Sequence, residues 1–264
     1  MRKKHIFSVV FLLILSLGVL TACGDSESAS GDGELNLKED GKLTFAMSGL
    51  YKPYNYQDGG ELTGFDVEIG NAIAEEMGLE PNPVTNPWES IIAGLEGEKY
   101  DAIIGSMGIT EERDEVVDFS DLYYRSGAQI FVASDNNGIE TVDDLNGKKI
   151  GVVKATTYKD LAEEYTDDIV EYTSDPVALQ DLPTGRIDAV ITDEGVGNYA
   201  IQDAGLEVKR VKEPISQDEM AIAVNEGDEE LLKEINKALQ AIIDNGTYQE
   251  ISEKWFGKDM LEKQ

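Results

Sequence analysis

Short apolar runs alternate with helical patterns through most of this chain, and that alternation restricts it to a small set of layered α/β folds. The runs lie at residues 43–47, 101–105, 149–153, 187–191 and 220–224. Several are β-branched and most are bounded by glycine or polar residues, so they read as buried strands. Between them, Ile69, Ala72, Ile73 and Met77 recur at helical spacing and Gly78 closes the pattern. A second amphipathic helix carries Leu231, Leu232, Ile235, Ala238, Leu239, Ile242 and Ile243 on one face and ends at Asn245-Gly246. The unit strand–helix–strand–helix–strand occurs twice, around 42–119 and 148–210, without a convincing sequence repeat between the two copies. Two similar α/β lobes with mainly parallel sheets account for this, and loops at the carboxyl ends of such strands are where ligands sit.

The N-terminus is a processing signal rather than part of the fold. Arg2, Lys3 and Lys4 precede an apolar run at 6–20, shorter than the roughly 20 residues a spanning helix needs but suited to the core of a signal peptide. The segment Leu20-Thr21-Ala22-Cys23-Gly24 resembles the bacterial lipobox. Its cysteine is lipidated and becomes the new N-terminus; an ordinary signal peptide with an incidental cysteine is the alternative. Residues 1–22 are thus expected to be a signal peptide and 23–40 a lipidated, disordered tether, since 25–34 are small and polar with nothing to bury. Cys23 is the only cysteine, so no disulfide framework can form. Losing Arg2, Lys3 and Lys4 and no acid takes the formal charge from −31 to −34. A field of that sign opposes binding to nucleic acid or to an anionic membrane surface. About 230 residues remain, enough for a sizeable core.

Several motifs then point to a family. They include Gly64-Phe65-Asp66-Val67-Glu68, Trp88-Glu89-Ser90-Ile91-Ile92-Ala93-Gly94-Leu95, and the stretch 100–113 from Tyr100-Asp101 to Glu112-Arg113. Val117-Asp118-Phe119-Ser120, Gly185-Arg186-Ile187-Asp188-Ala189-Val190 and, near the end, Lys254-Trp255-Phe256-Gly257 follow in order. Together they resemble the polar amino-acid family of bacterial extracellular solute-binding proteins (family 3), in lipoprotein form, across about 42–256. The resemblance implies a two-lobe, periplasmic-binding-protein-like (type II) fold. Residues 41–127 and 221–264 would form the first lobe and 128–220 the second. Hinge crossovers are expected near 125–129 and 214–219, with the last helices returning to the first lobe.

A free amino acid needs an anion site, a cation site beyond it and a pocket for its side chain. Arg113 has the planar fork that grips a carboxylate bidentately, or else balances Glu111 and Glu112 on the surface. Matched to the family's positions, Ser106 and Gly108 offer a hydroxyl and backbone groups, and glycine at 108 leaves only its backbone to serve. Thr156 and Thr157 open a helix whose N–H groups suit a carboxylate, or Thr156 is a plain cap. Asp193 matches the partner of the α-ammonium, or else caps a helix. Tyr51 and Trp88 match aromatics that stack on the ligand side chain; packing in the core is the alternative. Ser48 stands where relatives that bind basic amino acids often carry an acid, which weighs against a lysine or arginine ligand without excluding one. Lys154 takes part in specificity if it points inward.

The resemblance implies extracytoplasmic capture of a polar amino acid, cystine among the options. The captured ligand passes to an ABC permease and its ATPase, and the binding protein is a monomer held to the outer face of the cell membrane by its lipid. A ligand-sensing lipoprotein, an adhesion lipoprotein and an enzyme such as a dehydratase on the same fold are the rivals. His5, the only histidine, falls in the leader, and Cys23 would be blocked by lipid. The mature chain therefore lacks imidazole and thiol chemistry and the usual zinc sites, and no metal or cofactor is expected.

Overall fold

A computed structural model describes residues 35–262; the leader, Cys23 and most of the tether expected from the sequence lie outside the described residues. Strand β1 (Lys42–Met47) is buried from Leu43 onward. Its side chains alternate between two cores, as a period of two requires. Leu43, Phe45 and Met47 pack with Ile69 and Ile73, while Ala46 packs with Ile91 and Leu95. A small meander follows, β2 (Leu50–Tyr51), β3 (Asn55–Asp58) and β4 (Glu61–Thr63). The first lobe continues through α1 (Phe65–Glu76), β5 (Glu80–Thr85), α2 (Ile91–Glu96), β6 (Ala102–Gly108), α3 (Glu111–Asp114) and β7 (Val117–Ser126).

The second lobe begins at once with β8 (Ala128–Ala133), then β9 (Ile150–Val153), α4 (Thr157–Glu163), β10 (Ile169–Tyr172) and α5 (Asp175–Asp181). It closes with β11 (Ala189–Asp193), α6 (Glu194–Gln202) and β12 (Val208–Arg210). The chain then returns through β13 (Asp218–Asn225) to α7 (Glu229–Asp244) and α8 (Thr247–Phe256). The buried face of α7, with Leu231, Ile235, Ala238, Leu239 and Ile242, is the stripe read from the sequence.

Each lobe is built on a five-stranded sheet, in the orders β5-β1-β6-β13-β7 and β10-β9-β11-β8-β12. In each, β13 or β8 alone runs against its neighbours, and the rest are mutually parallel. These reversed strands are the ones reached directly from the other lobe. The last three residues of β7 pair with the start of β13, Asp218 opposite Ser126, and Ile215 N–H bonds to Ala128 O, so the two crossovers lie side by side. At Gly127 a Cβ would sit 2.3 Å from Ser216 O, which is why a residue without a side chain is needed there.

Two strands are shifted from their sequence positions. The ladder of β11 starts at Ala189 opposite Ile150, so the strand extends to Asp193 instead of stopping at 191. The strand expected at 101–105 starts at 102, because the Asp101 carboxylate is taken by the N–H groups of Thr44 and Lys38. No helix among the described residues is long and apolar enough to cross a membrane.

Candidate functional site

The carboxyl ends of both sheets meet across one cleft, and the lobes are closed on it. Trp88 Nε1–H donates to Ala155 O at 2.9 Å. Lys154 and Glu89 approach to 3.9 Å across the mouth. Deeper in, the Tyr54 hydroxyl donates to Asp193 Oδ1 at 2.9 Å. A narrow inner cavity of about 50 Å³ remains, lined from both lobes, and it adjoins a vestibule of about 630 Å³ at the mouth.

The first-lobe wall is internally satisfied. At the end of β6, Ser106 adopts a left-handed backbone with φ of 62°. Its N–H donates to the Tyr123 hydroxyl, and its own hydroxyl donates to Asp66 Oδ2. Asp66, fully buried, also accepts from Asn55 Nδ2 and Tyr123 OH. Burial pushes its carboxyl up to about 6 despite these donors. Thr110 caps α3 by accepting from Arg113 N–H, which turns the Arg113 side chain back along the strand end. There its guanidinium donates to Gly108 O at 2.8 Å and lies 5.6 Å from the Trp88 ring. Burial lowers the Arg113 pKa, but a guanidinium stays protonated in a protein. Tyr51 stacks on Tyr54 at 5.3 Å, and Tyr54 in turn packs on Tyr124 and Phe256. The Lys254-Trp255-Phe256 motif thus braces the back of the cleft.

The second-lobe wall is different in kind. Ala155 has φ of 56°, and Thr156 donates its hydroxyl to Val153 O. Thr156 holds the cap position of α4 without a side-chain cap bond. Such sparsely populated backbone conformations concentrate at ligand clamps. Here two of the three non-glycine residues with positive φ among the described residues, Ser106 and Ala155, face each other's lobe across the cleft. Asp175, at the start of α5, lines the cavity while only 5% exposed, and Thr192 Oγ1–H donates to its Oδ1 at 2.6 Å. Burial raises the Asp175 carboxyl to about 6. Asp193 is fully buried; its Oδ1 accepts from Tyr54 and from Gly195 N–H, and its Oδ2 has no hydrogen-bond partner. Burial drives it to about 7, against the opposing influence of the Ser126 and Tyr54 hydroxyls. Gly195 is required beside it, since a Cβ there would lie 2.5 Å from the Tyr54 hydroxyl oxygen.

Tyr51, Trp88, Ser106, Arg113, Thr156 and Thr157 all line the cavity, whereas Gly108 and Asp193 do not. Gly108 instead offers its carbonyl to Arg113. Asp193 acts as the N-cap of α6; burial first, with the Asp193 carboxyl adding to it, raises the Tyr51 and Tyr158 hydroxyls of the cavity wall and keeps both neutral. The Ser106 hydroxyl expected for a ligand already donates to Asp66. Lys154 lines the vestibule and not the inner cavity, turned toward Glu89. Ser48 borders both spaces. Sequence reasoning missed Tyr158, Asp175 and Met220. Asp175 stands in Ser174-Asp175-Pro176, which reads as an ordinary helix start, and Tyr158 looks like one more aromatic of an amphipathic helix. Only the strand–loop–helix position after β10, equivalent to those after β9 and β11, could have drawn attention to Asp175.

The family model for bacterial extracellular solute-binding proteins, family 3, matches residues 43–258. The L-cystine-binding protein TcyJ of Escherichia coli (strain K12) is 34% identical over 98% of this chain and 99% of its own length. The L-cystine-binding protein TcyA of Bacillus subtilis (strain 168) is 31% identical over 98% and 99%. Among solved structures, an ancestral arginine-binding protein bound to glutamine superposes with a TM-score of 0.78 at 37% identity, covering 83% of this chain and all of that one. With the two-lobe architecture and the wall residues in place, the chain belongs to the family 3 bacterial extracellular solute-binding proteins.

Proposed function

We propose that the protein captures a polar amino acid outside the cytoplasm and hands it to an ABC-type importer. The observation that carries this reading is a charge pair across one closed cleft. Arg113, the only base on the inner cavity wall, comes from the first lobe, and the carboxylates of Asp175 and Asp193 come from the second. A zwitterion supplies the complement of such a pair, and both partners are desolvated enough for charge-assisted bonds to count. The α-carboxylate binds the Arg113 fork, assisted by Thr156 and Thr157. The α-ammonium goes to Asp193, whose Oδ2 lacks a partner. Tyr51 and Trp88 flank the side chain, and Ser106 and Gly108 act by holding the strand end and the guanidinium in place.

The mechanism is capture by closure. The inner space of about 50 Å³ is too tight for an amino acid to enter, so uptake requires the paired crossovers to bend and the lobes to part. Ligand then settles on the preformed first-lobe wall, and contacts with the second lobe favour the closed form. The lobes are assigned as 41–127 with 221–264 and 128–220, with β13 already joining the first lobe's sheet from Asp218. The remaining parts of the reading are the signal peptide of 1–22, the lipid on Cys23, attachment to the outer face of the membrane, a monomeric state and the permease with its ATPase. They are supported by the sequence motifs and by relatives whose names describe cystine- and arginine-binding proteins. The absence of histidine and cysteine from 24–264 supports binding without catalysis.

A thermal-shift screen of the twenty amino acids and cystine tests this. Ligand at one hundred times its Kd stabilises the folded state by about 2.7 kcal/mol, a clear rise in melting temperature. Silence across the whole panel removes the reading.

A further inference from the structure

We propose that Asp175 is the specificity-determining acid of this cavity, selecting amino acids whose side chain ends in a second positively charged nitrogen. The inference rests on the amino-acid reading above and deepens it. It begins from a count of charges. The inner cavity wall holds one base, Arg113, and one acid, Asp175. Asp193, fully buried, and Asp218, partly buried, each have an unpartnered oxygen, and Asp218 lies in the field of Arg113. A zwitterion uses one base and one acid, so even with Asp218 set against Arg113 one carboxylate is left over.

Which acid is left over follows from position. Asp193 is locked to Tyr54 and Gly195 at the hinge end, beside the Ser126 crossover residue. Asp175 instead follows β10, the edge strand of its sheet, next to Thr173 and Ser174, which line both the inner cavity and the vestibule. A ligand whose head lies between Arg113 and Asp193 therefore extends its side chain past Asp175 on the way to the mouth. Among the described residues no basic side chain forms an ion pair or hydrogen bond with the Asp175 carboxyl, and Thr192 is its side-chain donor. A buried carboxylate in this condition discriminates strongly. A cationic nitrogen restores its pairing, while an apolar or neutral side chain leaves it desolvated and uncompensated. The ligand class so defined comprises cystine, whose far half carries an ammonium, and arginine, lysine and ornithine. Lys154, at the start of the neighbouring loop and facing the vestibule, would meet the second carboxylate of cystine but has nothing to pair with on the other three.

Isothermal titration of the purified protein with L-cystine, L-arginine, L-lysine and L-glutamine tests the assignment, alongside Asp175→Asn. The expected result is wild-type binding of at least one ligand with a distal cation about tenfold or more tighter than glutamine. In Asp175→Asn that ligand weakens by about thirtyfold while glutamine stays within about threefold, and retained glutamine binding certifies the fold of the variant. Preference for cystine over arginine and lysine identifies the cystine form of the class, and the reverse order identifies the basic amino acids. A wild-type protein that binds glutamine or another neutral amino acid best overturns the proposal and leaves the amino-acid reading standing, whatever the variant does. An equal loss for every ligand in Asp175→Asn also overturns it, by placing Asp175 at the α-ammonium. Failure of wild type to bind any of the four, or any other amino acid, removes both readings.

Discussion

The two walls of the cleft treat their buried polar groups in opposite ways. On the first lobe Asp66 accepts three side-chain hydrogen bonds, Ser106 is pinned at both its N–H and its hydroxyl, and Arg113 is held by Gly108 O. On the second, Asp193 keeps an oxygen with no partner, and Asp175 has a single side-chain donor. Asp218, at the start of β13 in the first lobe's sheet, also has a buried oxygen without a partner, so the contrast is between Asp66, Ser106 and Arg113 on one side and Asp175 and Asp193 on the other. A satisfied wall is stiff and preorganised. An unsatisfied one carries a desolvation cost that only an incoming cation relieves. On the proposed reading, this difference gives anion recognition to a ready-made surface and ties cation recognition to closure.

The comparison can be broken most severely at Arg113. Arg113→Ala should weaken amino-acid binding by at least about a hundredfold, measured by titration calorimetry, while the melting temperature of the ligand-free protein changes little. Binding within tenfold of wild type would mean the anion site lies elsewhere. Asp193→Asn keeps an acceptor for Tyr54 and Gly195 but removes the charge, so binding should fall by about thirtyfold. The ligand-free protein should at the same time melt no lower at pH 8 than wild type. A loss of stability without a loss of affinity would make Asp193 a helix cap and nothing more.

The third effect concerns pH. The folded-state pKa values of Asp66, Asp175 and Asp193, about 6, 6 and 7, lie above the ordinary carboxylate value of 3.8. Between about 4 and 7 the native state therefore binds more protons than the unfolded chain, and stability declines as pH rises through that window. The contribution is complete below the unfolded value and gone once pH passes the folded ones. Ligand-free protein should melt several degrees higher at pH 5 than at pH 8 in high salt, which screens repulsion among the 53 acidic residues. Asp175→Asn with Asp193→Asn should remove the second lobe's share and leave that of Asp66. A flat profile for the wild type would contradict the burial of these acids. The smallest effect is expected for Trp88→Phe, which keeps the ring contact with Arg113 but loses the bond to Ala155 O. Closure weakens and dissociation quickens by a few-fold, about 1 kcal/mol, measurable by stopped-flow fluorescence of the ligand-free and bound states.

Much of this was legible in the linear chain. A buried strand with both faces covered has to be an apolar run, and 43–47 and 220–224 are such runs. The α7 stripe follows from a 3.6-residue period. Arg113 could be singled out because the stretch 100–113 that carries the family resemblance is contiguous in the chain. The second-lobe acids resisted the same treatment. Nothing in Ser174-Asp175-Pro176 distinguishes a cavity carboxylate from an exposed helix start. The direction of Lys154 depends on Glu89, 65 positions earlier in the chain and on the opposite lobe.

By itself the sequence determined the alternation of strands and helices and the two-lobe fold, and through the family resemblance it singled out Arg113 as the candidate anion-binding residue. Hydrophobic periodicity and local capping are properties of neighbouring residues, and they survive in one dimension. The tertiary structure decided which of many carboxylates lose their water. Among 53 acids composition is silent on that point, because desolvation is imposed by elements brought together from distant parts of the chain. Asp66 loses its water within one lobe, and Asp175 and Asp193 lose theirs where the second lobe meets the cleft.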